Sequence, residues 1–367
     1  MKFSEMPYTR PDLEELKAQL GTVTQQLKDA PDYAAAHEAF LAQQKLMIHL
    51  ETLATLSSVR NSIDTRDKFY DAEEEFWNAA LPELKAYEDA WQGAMLESPF
   101  RKDFAAQYGD LMFVNTEMAR KTFSPAIVEE LKQENTLVLA YDKLIASAQI
   151  EFEGGTYTIS QLSPFKNSPD DATRLAAWKA EGGWYKAHQP ELDEIYDKLV
   201  HNRNAQGRML GYPNFIQLGY DRLGRNCYGQ KELAAFRDQI ANDLVPIIAE
   251  VKEAQRKRIG VDRLYIYDDK FRFPDGNPAP EGTAEEILAA GRRMYEELSP
   301  ETKEFVDFLY DNELLDVLSR EGKAPGGYCT MFEKYKAPFI FSNFNGTAGD
   351  VDVLTHEAGH AFAFYRA

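Results

Sequence analysis

Five residues near the end of the chain, His356-Glu357-Ala358-Gly359-His360, have types and spacing suited to chemistry. Successive residues of an α-helix turn by about 100°, so positions four apart lie about 40° apart, one turn up the axis. On a helix, His356 and His360 therefore project from one face and can grip one small ion. Glu357 falls on the neighbouring part of that surface, near the ion without having to bind it. Zinc held there lowers the pKa of its water to about 7, and an adjacent carboxylate can take the proton during attack on a peptide carbonyl. This is the logic of the H-E-x-x-H pattern. Asp352 lies one turn before His356. As a third ligand it would sit too far along the axis, because three successive turns span about 11–12 Å. Two roles stay open for it, a hydrogen bond to a histidine ring or an acid favoured by the helix N-terminus.

The element carrying these residues needs a second face to pack. Leu354, Ala358, Ala361 and Tyr365 recur at spacings of four, three and four, a stripe turned away from the histidines. Gly359 costs about 1 kcal/mol relative to alanine inside a helix, which points to close packing or to a nearby substrate. Just upstream, residues 326–332 and 338–344 are aromatic, β-prone runs, followed by the turn Asn345-Gly346-Thr347-Ala348-Gly349. They predict a small sheet beside a helix that starts at about Asp350.

The rest of the chain reads as helix after helix. Ser/Thr-Pro starts recur at Thr9-Arg10-Pro11-Asp12, Ser98-Pro99, Ser124-Pro125 and Ser168-Pro169, each placing a capping hydroxyl before a first-turn proline. Leu13, Leu16, Leu20, Val23 and Leu27 keep helical spacing, as do Leu46, Leu50, Leu53 and Leu56. A hairpin interrupts the run at about 149–159, with Gly154-Gly155 as its turn. Helices are predicted to resume at about 169–180, 190–209, 230–258, 283–297 and 301–313. The division expected is a helical region over 1–190, hairpin included, and a second unit over 191–367.

Composition narrows the class. Sixty acidic against 41 basic residues give a formal net charge of −19, which repels phosphate backbones and disfavours nucleic acid as a partner. No window approaches the roughly 18–20 apolar residues that span a bilayer, and the first residues hold no apolar stretch of signal-peptide length. The two cysteines, Cys227 and Cys329, are far apart and form no C-x-x-C pair; one disulfide is a reading open to them, and two free buried thiols in a reducing cytoplasm is the favoured one. The histidines at 37, 49, 188 and 201 are scattered on helical patterns and read as surface or core residues.

With these residues assembled, the chain resembles the oligoendopeptidase F branch of the thimet oligopeptidase-like zinc metallopeptidases. The similarity runs through Pro7-Tyr8-Thr9-Arg10-Pro11-Asp12, Pro325-Gly326-Gly327-Tyr328-Cys329 and Ala337-Pro338-Phe339-Ile340-Phe341. It ends on Asn343-Phe344-Asn345-Gly346-Thr347 and the segment from Asp350 to Ala361 that contains the histidines. The resemblance implies a mainly α, multi-helix zincin-type oligopeptidase fold, with a small β-sheet beside the zinc helix and a deep substrate channel. It implies a Zn2+ cofactor on His356 and His360, Glu357 as general base, short peptides as substrates, and an extended substrate pairing with the 339–344 strand. In that family the third zinc ligand is a glutamate on a later helix, so here it is expected beyond Ala367. The chain is accordingly expected to lack the C-terminal part of the catalytic domain and to be weak or inactive alone. The competing expectation is a non-catalytic peptide-binding or scaffolding helical protein with an incomplete metal site.

Overall fold

The structure, a computed structural model, describes residues 1–367. It is built mainly from helices: α1 (Leu13–Lys28), α2 (Tyr33–Ile63), α3 (Lys68–Glu97), α4 (Arg101–Tyr108), α5 (Leu111–Lys121) and α6 (Val128–Ala146) come first. A hairpin of β1 (Ile150–Phe152) and β2 (Gly155–Tyr157) follows, then α7 (Ser163–Lys166), α8 (Asp171–Met209), α9 (Phe215–Arg222), α10 (Gln230–Gln239) and α11 (Val245–Ile259). The last part holds α12 (Ala284–Leu298), α13 (Pro300–Asp311), β3 (Leu315–Leu318), β4 (Tyr328–Phe332), β5 (Ala337–Phe344) and α14 (Ala348–Arg366).

The leucine stripes do what their spacing predicts. Leu16, Leu20, Val23 and Leu27 of α1 are buried, as are Leu50, Leu53 and Leu56 of α2. The helix starts are set differently from expectation. Asp12, not Thr9, caps α1 by accepting from the N–H groups of Glu14 and Glu15, and Asp170, not Ser168, caps α8. A carboxylate at the cap also meets the positive end of the helix dipole, which a hydroxyl cannot do with full charge. The hairpin turn is Glu153-Gly154, both with positive φ, because Phe152 pairs directly with Gly155. That is the two-residue turn geometry that matches strand twist.

A further departure concerns α8, whereas the helix expected over 230–258 is present. Helices expected at about 169–180 and 190–209 are one helix, which runs through Pro190 and so across residue 190. The 230–258 segment is one continuous rod in which a π turn, Ile240–Leu244, joins α10 to α11. The strand β3 was not anticipated.

The core beside α14 is the three-stranded sheet, in the order β3-β5-β4. β5 is central, parallel to β3 and antiparallel to β4, with Thr330 opposite Phe339 and Tyr328 opposite Phe341. Seven of its eight residues are buried, as expected of a strand packed on both faces. Phe305 and Leu309 of α13, Leu56 and Val59 of α2, and Leu354, Ala358 and Ala361 of α14 complete one apolar cluster with it. The predicted stripe on α14 is therefore its packed side, with Tyr365 half-buried at the end.

Candidate metal centre

α14 leaves β5 through a turn that its own first residues hold. The Asp350 carboxylate accepts hydrogen bonds from the backbone N–H of Asn345 (3.0 Å) and of Gly346 (2.7 Å), where Gly346 has φ 86°. Burial raises the Asp350 pKa, and the two backbone N–H donors oppose that rise. The Asn345 side chain in turn donates to the Ser160 carbonyl (3.2 Å), tying the turn to the segment after the hairpin. Further along, the Tyr365 hydroxyl donates to Glu304 of α13 (3.1 Å). Gly291 of α12 sits so close that a Cβ there would stand 2.9 Å from Leu354 Cδ2. These contacts fix the register and roll of α14.

That roll turns His356 and His360 to solvent with their Nε2 atoms 3.2 Å apart and their rings nearly perpendicular, at 77°. Two imidazole nitrogens each about 2.0–2.1 Å from one tetrahedral ion stand about 3.3 Å apart. The separation of the two nitrogens therefore matches that of two ligands on one zinc ion. No third histidine, cysteine, aspartate or glutamate of the chain converges on them.

Glu357 is only 8% exposed and points toward the start of β4. A Cβ added to Gly327 would lie 3.9 Å from Glu357 Oε1, 3.4 Å from the Phe341 carbonyl and 3.2 Å from Val353 Cγ1. Cys329 lies on the same face of β4. Its thiol is pushed up to about 12, by burial first and then by the Glu357 charge, which leaves it a poor nucleophile at neutral pH. Asp352 is exposed, and its carboxylate bonds to neither histidine ring; its backbone carbonyl accepts from Thr355 Oγ1 (3.1 Å). Gly359 is also exposed with nothing within 4 Å of a built Cβ, so close packing does not explain it. The structure brings together His356, Glu357 and His360 and adds Gly327, Cys329 and Asp350. The first two of these additions come from the start of β4, some thirty residues away; they lie in the Pro325-Gly326-Gly327-Tyr328-Cys329 segment that carries the resemblance, but periodicity does not place either beside Glu357.

The strand available to an extended ligand is not the one expected. β5 has partners on both edges. Its Ile340 N–H donates to Leu314 on the β3 side (3.0 Å), so Phe339 and Phe341 turn their backbone groups to β4. By alternation, Thr330 and Tyr328 spend theirs on β5, and Cys329 and Met331 direct theirs to the open edge of β4.

Comparison with known proteins agrees with this architecture. Residues 3–123 match the Peptidase M3 N-terminal domain and residues 164–364 match Peptidase family M3. The chain is 22% identical over 375 residues to Oligopeptidase PepF of Bacillus subtilis (strain 168), covering 96% of this chain and 54% of that protein. Over its full length it superposes on PZ peptidase A, solved with an inhibitor, at TM-score 0.99 and 46% identity, spanning 65% of that chain. An oligoendopeptidase F structure at 3.1 Å matches at TM-score 0.98 and 47% identity, again over 65% of its length. A further one, from Bacillus anthracis str. Ames, matches at 0.98 and 42% identity over 67%. The chain thus spans between about half and two-thirds of the relatives it matches. In sequence and in fold, the chain belongs to peptidase family M3.

Proposed function

We propose that this chain carries the metal-binding helix and general base of a zinc-dependent endopeptidase that hydrolyses short oligopeptides. The observation that carries the reading is the 3.2 Å approach of His356 and His360 Nε2, with Glu357 next to them and turned toward β4. His356 and His360 would hold the ion. Zinc, when bound, supplies Lewis-acid polarisation of the scissile carbonyl and acidifies the attacking water. The chain's own groups supply the rest. The Cys329 and Met331 backbone groups on the open β4 edge pair with an extended peptide, reading its backbone with little side-chain preference. The Glu357 carboxylate takes the proton from the attacking water and hands it to the leaving amine. Burial between α14 and the start of β4 keeps that carboxylate aimed at one position.

Catalytic zinc usually has three protein ligands. We place the third outside these 367 residues, since none within them joins the pair, and we expect weak zinc affinity and little turnover from this chain alone. The same observation favours the second reading, a peptide-binding or scaffolding protein with an incomplete metal site. We assign the chain to the cytoplasm on its two unpaired cysteines, one of them exposed. Separately, no helix is long and apolar enough to cross a membrane.

The test pairs zinc stoichiometry with cleavage of a quenched peptide, using this chain and a form supplemented with the remaining segment of a relative. The supplemented form should bind one zinc, cleave, and lose activity to a chelator. Glu357→Gln should lower its kcat by about 10²–10⁴ while zinc stays bound. Full activity in that variant would remove Glu357 from its role. Peptide binding without zinc or turnover would favour the scaffold.

A further inference from the structure

On the face of the three-stranded sheet turned away from α14, three helices enclose a polar cluster that is short of positive charge. Tyr328 alternates with Cys329 along β4 and so points to this side, close enough to Glu74 to feel its charge. Glu74 and Asp71 come from α3, Ser57 and Asn61 from α2, and Asp142 and Lys143 from α6. The Ser57 hydroxyl reaches the Glu74 carboxylate. Asn61 stands four residues after Ser57 and so shares its face of α2.

Neither charge nor hydrogen bonding balances within the cluster. Lys143 pairs with Asp71, whereas no cation acts on Glu74 or on Asp142, and the Asp142 charge opposes ionisation of Glu74. Ser57 is fully buried and Asn61 is 5% exposed, yet Ser57 Oγ and Asn61 Nδ2 lack a well-directed partner, as does Glu74 Oε2. Buried polar groups of native proteins are nearly always satisfied, by protein, by water or by an ion. A water molecule satisfies the hydroxyl and the amide but leaves two carboxylates facing each other. A cation answers both deficits at once.

We propose that Glu74, Ser57 and Asn61 form a structural site for one monovalent cation of the sodium class, bound by a carboxylate, a hydroxyl and an amide oxygen. The Asn61 amide presents its oxygen to the cluster after a half-turn about its last side-chain bond, which exchanges two atoms of nearly equal size. Oxygen ligands are those a hard cation takes. No three carboxylate, imidazole or thiol groups converge here as a multiply charged ion requires, so the occupant carries a single charge. Ser58, whose hydroxyl also reaches Glu74, is exposed and leaves a short way in from solvent. The site lies across the sheet from the histidines and is independent of the chemistry proposed for them.

The experiment follows thermal unfolding of the 367-residue chain at pH 8 in sodium chloride and in choline chloride at matched ionic strength. Choline is too large for the cluster, so it screens surface charge without entering. The Tm should be higher in sodium and should climb with the logarithm of its concentration, as binding to the folded state requires. In Glu74→Gln the two salts should give one Tm. That variant buries no charge and is expected to be the more stable protein in choline, so the salts are compared within each protein. Ser57→Ala keeps the carboxylate and removes one ligand; it should raise the sodium concentration at half of the Tm shift about tenfold. Equal Tm values for the parent in the two salts overturn the proposal and leave water as the occupant. A sodium shift that persists undiminished in Glu74→Gln also overturns it, since it then reflects the acidic surface as a whole. If Glu74→Gln does not fold, Ser57→Ala decides, and an unchanged sodium dependence there overturns the site.

Discussion

Two ionisable groups, one on the sheet and one on the neighbouring helices, are withdrawn from solvent and behave in opposite ways. On the sheet side, Lys323 has a fully buried side chain, and its Nζ donates to Asp316 Oδ1 (2.6 Å) and to the carbonyls of Asp316 (3.0 Å), Leu318 (2.9 Å) and Ser342. It also lies 4.4 Å from the centre of the Phe341 ring. Burial draws its pKa down to about 8 against the pull of Asp316, while Arg320 and Lys323 together outweigh burial and hold Asp316 low. On the helical side, Glu74 of α3 has no cation facing it. Burial pushes it up to about 7, the Ser57 and Ser58 hydroxyls resist a little, and Asp142 and Asp71 add to the rise. Lys143 is spent on Asp71. Glu74 Oε2, Ser57 Oγ and Asn61 Nδ2 are buried without a well-directed hydrogen bond. Loss of solvent therefore accompanies a satisfied ion pair in one place and a carboxyl held toward its neutral form in the other. What differs is the sign of the neighbours. Tyr328 lies between them, stacked on Phe341 at 4.7 Å and raised to about 12, chiefly by burial and further by the charges of Asp316 and Glu74.

The largest expected effect comes from breaking the satisfied side. Lys323→Met leaves the Asp316 carboxylate buried with Arg320 as its only cation, and removing one partner of a buried pair costs about 3–5 kcal/mol. Urea unfolding at pH 7 should show that loss, and adding Asp316→Leu should recover most of it. A single variant within about 1 kcal/mol of the parent would mean that Arg320 alone satisfies the site.

The unsatisfied side responds to pH. The folded pKa of Glu74 lies above its ordinary value of 4.5, at about 7, so folding takes up a proton there. The associated stability is fully present below about pH 4.5 and is lost as pH rises through 7. Glu74→Gln, which cannot ionise, should match the parent at pH 4.5 and exceed it by roughly 2–3 kcal/mol at pH 8. Parallel stability curves for the two proteins across that range would show that the carboxyl is solvated after all.

The contrast also separates what is legible in the sequence from what is not. The two histidines and their glutamate were readable because a four-residue step on a helix is local geometry, and the Leu354-Ala358-Ala361 stripe fixed which way they face. The aromatic strands β4 and β5 were readable from composition. The open edge was not, because β3 decides it, and Leu315-Asp316-Val317-Leu318 gives little strand signal in so short a run. The gap expected between 180 and 190 is helical, and α8 runs on through Pro190. Asp350 reaches back to two backbone N–H groups, and Lys323 reaches across three segments. Neither signal exists until the chain has folded, so neither could be found by period or propensity.

The smallest effects come from two glycines near the centre, and they should differ in sign. Gly327 stands four residues after Lys323, where the Asn343 side chain holds the carbonyls of Ala324 (2.9 Å) and Gly326 (2.8 Å). An added Cβ meets Val353 at 3.2 Å and the Phe341 carbonyl at 3.4 Å, and a strand pinned this way has little room to yield. Gly327→Ala should therefore cost about 1 kcal/mol or somewhat more, as overpacking does. Gly359 lies inside α14 with nothing within 4 Å of a built Cβ. There alanine removes a helix penalty and should gain about 0.5–1 kcal/mol. Thermal melts of the two variants at one pH measure both effects, and equal melting temperatures would mean that β4 can shift away from α14. Such a shift would carry the open strand edge away from Glu357. The strap from Lys323 to Gly327 would then be looser than its hydrogen bonds imply, and the contrast with the Glu74 side would be one of charge alone.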